Sequence, residues 1–67
     1  MDKDDATSYN MLGTIYMDLF SRDNRRDYLV KAQDNLVIAL QLGPDADFAL
    51  NAKDNLKAVR EILPRVR

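Results

Sequence analysis

The 67-residue sequence contains no cysteine, no histidine and no tryptophan. Without thiols and imidazoles it has neither disulfides nor the side chains that hold most zinc ions and exchange protons near neutral pH. The hydroxyl groups of Ser8 and Ser21 have no partner base that would turn them into nucleophiles. We therefore expect a protein that is not an enzyme and that binds no cofactor and no metal ion.

The acidic segments Asp2–Asp5 and Asp45–Asp47 do not complete a calcium-binding loop. Such a loop needs a bidentate glutamate at its twelfth position. Counted from the first aspartate of each segment, that position holds Gly13 in one case and Leu56 in the other. Helix capping explains these aspartates better than metal binding does.

Long hydrophobic runs and an excess of one charge are also absent. The longest apolar run, Leu36–Leu40, is far shorter than the roughly 20 residues of a membrane-spanning helix. The start, Met1–Asp5, is acidic where a secretory signal peptide is basic. Ten basic and eleven acidic residues leave a net charge of -1, which provides no general attraction to nucleic acids. We expect a cytoplasmic protein with no membrane partner, and we rank nucleic acid last among its partners.

Glycine and proline are scarce, with two of each, and all but Gly13 stand near the expected ends of helices. Apolar residues recur at steps of three and four in three segments, which predicts three amphipathic helices. No segment shows the sustained two-residue alternation of a β-strand. The sequence therefore predicts an all-α fold.

The first helix is expected to begin at Asp4 or Asp5, either of which has the side chain of an N-cap. It is expected to stop in the polar segment Ser21–Asp27, which has too few apolar groups for burial. Its apolar stripe consists of Tyr9, Leu12, Ile15, Tyr16, Leu19 and Phe20.

The second helix is expected to be capped by Asp27 and to end at Leu42. Gly43 would then take a left-handed C-cap conformation, and Pro44 would prevent continuation. Apolar residues on more than one side predict that this helix contacts both neighbours. Its main stripe is Tyr28, Leu29, Ala32, Leu36, Ala39 and Leu40, with Val30, Val37 and Ile38 outside it.

The third helix is expected to be capped by Asp45 or Asp47 and to end before Pro64. Acidic residues at its start and basic residues in its later turns suit the helix dipole. Its apolar stripe consists of Ala49, Ala52, Leu56, Val59 and Leu63, with Phe48 beside the first of them.

The spacing of the first two helices is specific. It reads Tyr9-x-x-Leu12-Gly13-x-x-Tyr16 and then Ala32-x-x-x-Leu36-x-x-Ala39-x-x-x-x-Pro44. This pattern resembles the tetratricopeptide repeat, and the spacing of its small residues is also similar to Sel-like repeats. Small residues at Gly13 and Ala32 would let the two helices approach closely, while Tyr9, Leu12, Tyr16 and Leu36 would fill the layer between them.

The resemblance implies an antiparallel helical hairpin followed by a capping helix, as in a fragment of a right-handed α-solenoid. Within a single domain of residues 1–67, residues 9–44 would form one repeat and residues 45–63 the cap. The repeat is about seven residues longer than the usual 34, so each helix should gain about one turn. Since such stacks generally need about three repeats, the resemblance implies self-association or a larger assembly.

The resemblance also implies a function, because tetratricopeptide proteins hold peptides or partner helices on their concave face. We therefore expect an adaptor or scaffold that binds a protein partner. Mapped onto this chain, the concave face comprises Asn10, Thr14 and Met17 of the first helix and Phe48, Asn51 and Asn55 of the third.

The sequence is compatible with two other functions. The first is a self-assembling structural subunit, a homo-oligomer in which open solenoid ends associate through Phe48, Val37, Ile38 and Leu56. The second is a small regulator that contacts nucleic acid through a basic stripe on the third helix, although the helix dipole and solubility also explain such a stripe. The basic stripe consists of Lys53, Lys57 and Arg60.

Overall fold

A computed structural model describes residues 3–66, with side chains from residue 5 onward. Within that range the chain forms three packed α-helices and no strand, which confirms the all-α prediction of a hairpin followed by a third helix. The helices are α1 (Lys3–Asp23), α2 (Arg26–Leu42) and α3 (Ala49–Ile62), followed by a short 3-10 helix at Leu63–Arg65.

The connection between α1 and α2 is shorter than predicted, because α1 continues into the polar segment expected to stop it. The Ser21 hydroxyl donates to the carbonyl oxygen of Asp18 at 2.7 Å, and Arg22 pairs with the Asp18 carboxylate at 3.3 Å. Asn24 then turns the chain with a left-handed φ of 56°, which asparagine tolerates better than most residues. Two residues remain to link the helices, so the hairpin is long, as expected.

The aspartates predicted to cap the first two helices do not cap them. Helix α1 begins at Lys3, so Asp4 and Asp5 lie inside its first turn. The N-cap of α2 is Arg25, which has no side-chain capping bond. Asp27 instead lies in the first turn of α2, 3.5 Å from the Arg25 guanidinium, where a carboxylate still favours the helix dipole.

The predicted cap of α3 is also wrong. Its N-cap is Phe48, again without a side-chain bond, rather than Asp45 or Asp47. The linker closes with backbone hydrogen bonds, from the Ala46 N–H to the Gly43 carbonyl at 3.2 Å and from the Ala49 N–H to the Ala46 carbonyl at 2.9 Å. These turns occupy the residues at which an aspartate cap was expected.

Gly43 lies in a tight contact and not in a left-handed turn. Its φ is -136°, which corrects the predicted C-cap conformation. A Cβ at this position would lie 3.1 Å from the Cβ of Ala6 and 3.3 Å from the Cβ of Ala46. The start of α1 therefore packs closely against the end of α2.

The two long helices meet most closely at Gly13. A Cβ placed there would lie 2.7 Å from both Cγ and Cδ2 of Leu36 and 3.5 Å from the carbonyl oxygen of Ala32. Both Leu36 and Ala32 are fully buried. The predicted close approach through small residues is confirmed, with the Leu36 side chain filling the space above Gly13.

The core is centred on α2, which contacts both α1 and α3. Among the α1 residues whose burial is described, only the small residues Ala6 and Gly13 are buried, whereas α2 and α3 also bury leucine and valine side chains. The apolar stripe predicted for α3 is buried as expected, apart from the half-buried Leu63. The core cluster consists of Leu29, Ala32, Leu36, Ala52, Leu56 and Val59.

Leu12 does not fill the layer between the helices, which corrects the prediction for this motif position. It is 41% exposed, and Met11 and Ile15 are 57% and 49% exposed. The apolar residues of α1 extend around more of the helix than α2 can cover. None of the helices within residues 3–66 is both long enough and apolar enough to cross a membrane.

Candidate functional site

A cleft lies where the start of α1 meets the start of α3. It has a volume of about 480 Å³ and is lined by Ala6 and Thr7 of α1, by Leu42 at the end of α2, by the linker residues 43–47 and by Phe48. Because helices joined by short connections pack antiparallel, α1 and α3 both run antiparallel to α2. They therefore leave this cleft in the same direction, side by side.

On α1, the predicted binding residues continue the side of the helix that faces the cleft. Asn10, Thr14 and Met17 follow Thr7 at steps of three, four and three, which places all four on one stripe. Thr14 is exposed, with its hydroxyl donating to the carbonyl of Met11 at 2.8 Å. Asn10 and Met17 are half-buried, and Met17 packs against the core.

On α3, the predicted binding residues form a matching stripe. Phe48, Asn51 and Asn55 are three and four residues apart and begin at the same cleft. Phe48 is half-buried, and it packs against the core. Asn51 is exposed and Asn55 is half-buried. Of the six predicted residues, only Phe48 lines the cleft. The others continue from the cleft along α1 and α3 by helical spacing. We call the surface that carries all six the α1/α3 groove: Asn10, Thr14, Met17, Phe48, Asn51 and Asn55.

Asn10 has an unusual environment at the edge of this groove. Its side-chain oxygen Oδ1 is inaccessible to solvent and has no hydrogen-bond partner, the one such buried side-chain atom among the described residues. A buried acceptor without a partner costs about 1–3 kcal/mol of stability. A hydrogen-bond donor brought by a bound molecule would remove that cost if the amide turned toward it.

The basic stripe of Lys53, Lys57 and Arg60 is exposed but lies away from the groove. Helical geometry places these residues on one side of the buried row that includes Ala52, and Asn51 and Asn55 on the other. The groove and the basic stripe are therefore separate surfaces.

The residues proposed for self-assembly are buried or half-buried. Leu56 is buried, and Val37, Ile38 and Phe48 are half-buried; Val37 and Phe48 pack against the core. The exposed large apolar side chains lie elsewhere. They are Met11, Leu12 and Ile15 on α1 and Leu50 and Ile62 on α3.

Aromatic side chains pack together on one side of the α1–α2 hairpin. The rings of Tyr16 and Tyr28 stack with centroids 6.1 Å apart. The ammonium of Lys31 lies 5.6 Å from the Tyr16 ring centre, and the guanidinium of Arg25 lies 5.6 Å from that of Tyr28. Together with half-buried Tyr9, these contacts give the tyrosines a packing role.

The remaining motif positions lie where helix packing would place them. Ala39 is buried in α2, and Pro44 is exposed in the linker. Among the side chains that the structure describes, those of residues 5–66, no group of three or more acidic residues is placed to hold a metal ion.

No known family, no curated protein and no solved structure matches this chain. The likeness to tetratricopeptide repeats therefore stands on the motif residues and remains a prediction.

Proposed function

We propose that this chain is a protein-interaction module, an adaptor or scaffold that holds an extended segment of a partner in the α1/α3 groove. The observation that carries the proposal is the cleft that Thr7 of α1 and Phe48 at the start of α3 line together. From there, helical spacing extends one stripe along each helix. Binding, rather than catalysis, is the function that such a surface can perform. The resemblance to tetratricopeptide repeats supports the same use of this side.

The asparagines suit the backbone of an extended peptide. Each side-chain amide both donates and accepts hydrogen bonds, as a peptide group does. Asn51 and Asn55 are one turn apart, a rise of about 6 Å along the helix. Two residues of an extended chain span about 6.6 Å, so the two amides match successive peptide groups on one edge. Asn10, across the groove, would supply its unpaired acceptor once its amide turns toward the peptide.

The cleft at the end of the groove determines which side chains fit. Phe48 provides an apolar wall, and the volume of about 480 Å³ lies within the range of ligand pockets. Asp45 and Asp47 are exposed and line the same cleft. The preferred segment therefore has an apolar anchor beside a basic residue.

A peptide-display selection tests this proposal. The full chain is used to enrich peptides, whose dissociation constants are then measured for the wild type and for Asn51→Ala combined with Asn55→Ala. The double variant loses two hydrogen bonds to the peptide, each worth about 1 kcal/mol. We therefore expect it to bind the enriched peptides about tenfold or more weakly than the wild type.

The matched control is Lys53→Ala combined with Lys57→Ala, on the other side of α3. It should leave peptide affinity unchanged within about twofold, because those side chains do not border the groove. Circular dichroism should show both double variants folded. The proposal is contradicted if both double variants lose the same amount of peptide affinity, or if the selection enriches no peptide.

A further inference from the structure

Helix α1 has a second regular surface on the side that neither α2 nor the groove uses. Its residues alternate at steps of three and four, the spacing of a seam between two packed helices. All of them are exposed except Leu19, which is half-buried. This outer face of α1 consists of Asp5, Ser8, Leu12, Ile15, Leu19 and Arg22.

The outer face is apolar in its middle and oppositely charged at its two ends. Asp5 begins the row and Arg22 ends it, 17 residues apart, which is about 25 Å along a helix. The surrounding sequence repeats the contrast. Residues 2–5 contain three aspartates and one lysine, whereas residues 22–26 contain three arginines and one aspartate.

We infer that a second copy of this chain packs antiparallel on the outer face of α1, forming a two-fold symmetric dimer. With the symmetry axis between Leu12 and Ile15, residue number i meets residue 27 minus i of the second copy. Leu12 then contacts Ile15 of the copy, Ser8 contacts its Leu19, and Asp5 contacts its Arg22. Every layer occurs twice, as in any isologous interface.

The opposite charges at the two ends of the outer face favour a second copy of this chain as the partner, and they favour an antiparallel orientation. In a parallel pair, Asp5 would face Asp5 and Arg22 would face Arg22. In the antiparallel pair each acidic end meets a basic end. The two ends are farther apart than the Debye length of about 10 Å, so each attraction acts independently. Arg22 also pairs with Asp18 of its own helix. That pair is exposed to solvent and therefore weak, so it leaves Arg22 able to contact Asp5 of the second copy.

The same contact covers the large apolar side chains that α1 exposes. Met11, 57% exposed, adjoins Ile15 on the next turn and would flank the seam. Each side of the axis has one fully apolar layer, Leu12 with Ile15, and one mixed layer, Ser8 with Leu19, so the interface belongs to the small, reversible class. The groove residues Asn10 and Thr14 lie on another side of α1 and stay open in the dimer.

Sedimentation equilibrium of the full chain over about 10 µM to 1 mM tests for the dimer. We expect the mass to rise from monomer to dimer with concentration and to go no further. Ile15→Asp, which places a carboxylate against Leu12 of the copy, should weaken the dimer at least about tenfold. Leu50→Asp changes an exposed leucine (72%) outside the seam and should leave the dimer intact. A wild-type monomer at 1 mM, or equal effects of the two variants, overturns the inference.

Cysteine cross-linking tests the orientation without depending on the fold of Ile15→Asp. The chain has no cysteine, so each introduced thiol is unique. A mixture of Asp5→Cys and Arg22→Cys chains should cross-link between the two variants under mild oxidation. Asp5→Cys alone should cross-link poorly, as should a mixture of Asp5→Cys with Leu50→Cys. Preferential cross-linking of Asp5→Cys to itself indicates a parallel pair and overturns the inference.

The dimer and the proposed peptide groove can fail separately. The variant pair Asn51→Ala and Asn55→Ala should leave the dimer mass unchanged, and Ile15→Asp should leave peptide affinity unchanged. Loss of both properties in either variant contradicts the separation of the two surfaces.

Discussion

The two helices of the hairpin have similar apolar patterns but opposite burial. Helix α2 buries two leucines and two alanines, at Leu29, Ala32, Leu36 and Ala39. Helix α1 buries only small residues, while three of its large apolar side chains are exposed. The difference follows from position, because α2 lies between two helices and α1 lies at the edge. Apolar spacing shows that a helix is amphipathic, but its neighbours decide which side is covered.

The edge position of α1 also leaves surface on that helix available for binding. Helix α2 contacts both neighbours and keeps little of its apolar surface in solvent. The two sides of α1 that α2 leaves uncovered differ from each other. The side next to α3 carries Asn10 and Thr14, and the opposite side carries Leu12 and Ile15. Polar residues suit an extended peptide, whereas the apolar row suits another helix.

The largest expected effect separates the buried leucines of α2 from the exposed ones of α1. Leu36→Ala removes a fully buried side chain that packs on Gly13, so it should destabilise the fold by about 2–5 kcal/mol. Leu12→Ala, the matched control, should cost less than about 1 kcal/mol, since Leu12 is 41% exposed. Urea denaturation at low micromolar concentration, where the proposed dimer is dissociated, measures both. Equal losses would contradict the edge position of α1.

The close contact of the hairpin could be predicted from the sequence, because Gly13 and Ala32 are small residues at helical spacing opposite large ones. Helix ends could not be predicted as well. Several aspartates near each end qualify as caps, and tertiary packing decides among the alternatives. The path of the linker before α3 depends on the contact between Gly43 and Ala6. These two residues are far apart in the sequence, so local patterns do not reveal the contact.

The groove could be predicted only in part. Spacing indicated which residues share a side of α1 and of α3, and the resemblance indicated the side to choose. The desolvated oxygen of Asn10 had no signal in the sequence, because it depends on how closely neighbouring side chains enclose one amide. The exposure of Leu12 was missed because apolar residues surround more than half of α1.

A smaller effect is expected where the two helices touch. Gly13→Leu forces a side chain into the space that Leu36 occupies, where even a Cβ would lie 2.7 Å from its Cγ. The better helix propensity of leucine offsets part of the strain, and overpacking leaves a net loss of about 1–3 kcal/mol. Thr14→Leu, one position further on an exposed side, should not destabilise the fold. A thermal melt compares the two variants, and equal melting temperatures would contradict the close contact.

The smallest effect is a gain in stability at the groove. Asn10→Ala removes a buried acceptor that has no partner, and alanine is also the better helix former. Asn35→Ala is the matched control, because Asn35 is a half-buried helical asparagine whose amide donates to the Lys31 carbonyl at 2.7 Å. We expect Asn10→Ala to be more stable than Asn35→Ala by about 1 kcal/mol in urea denaturation, and to bind the selected peptides less tightly than the wild type. A stability gain without loss of affinity would show that the unsatisfied oxygen serves no partner. A stability no greater than that of Asn35→Ala would show that the oxygen already has a hydrogen bond in solution. The predicted combination of higher stability and weaker binding is the result expected when a desolvated polar group is retained for binding.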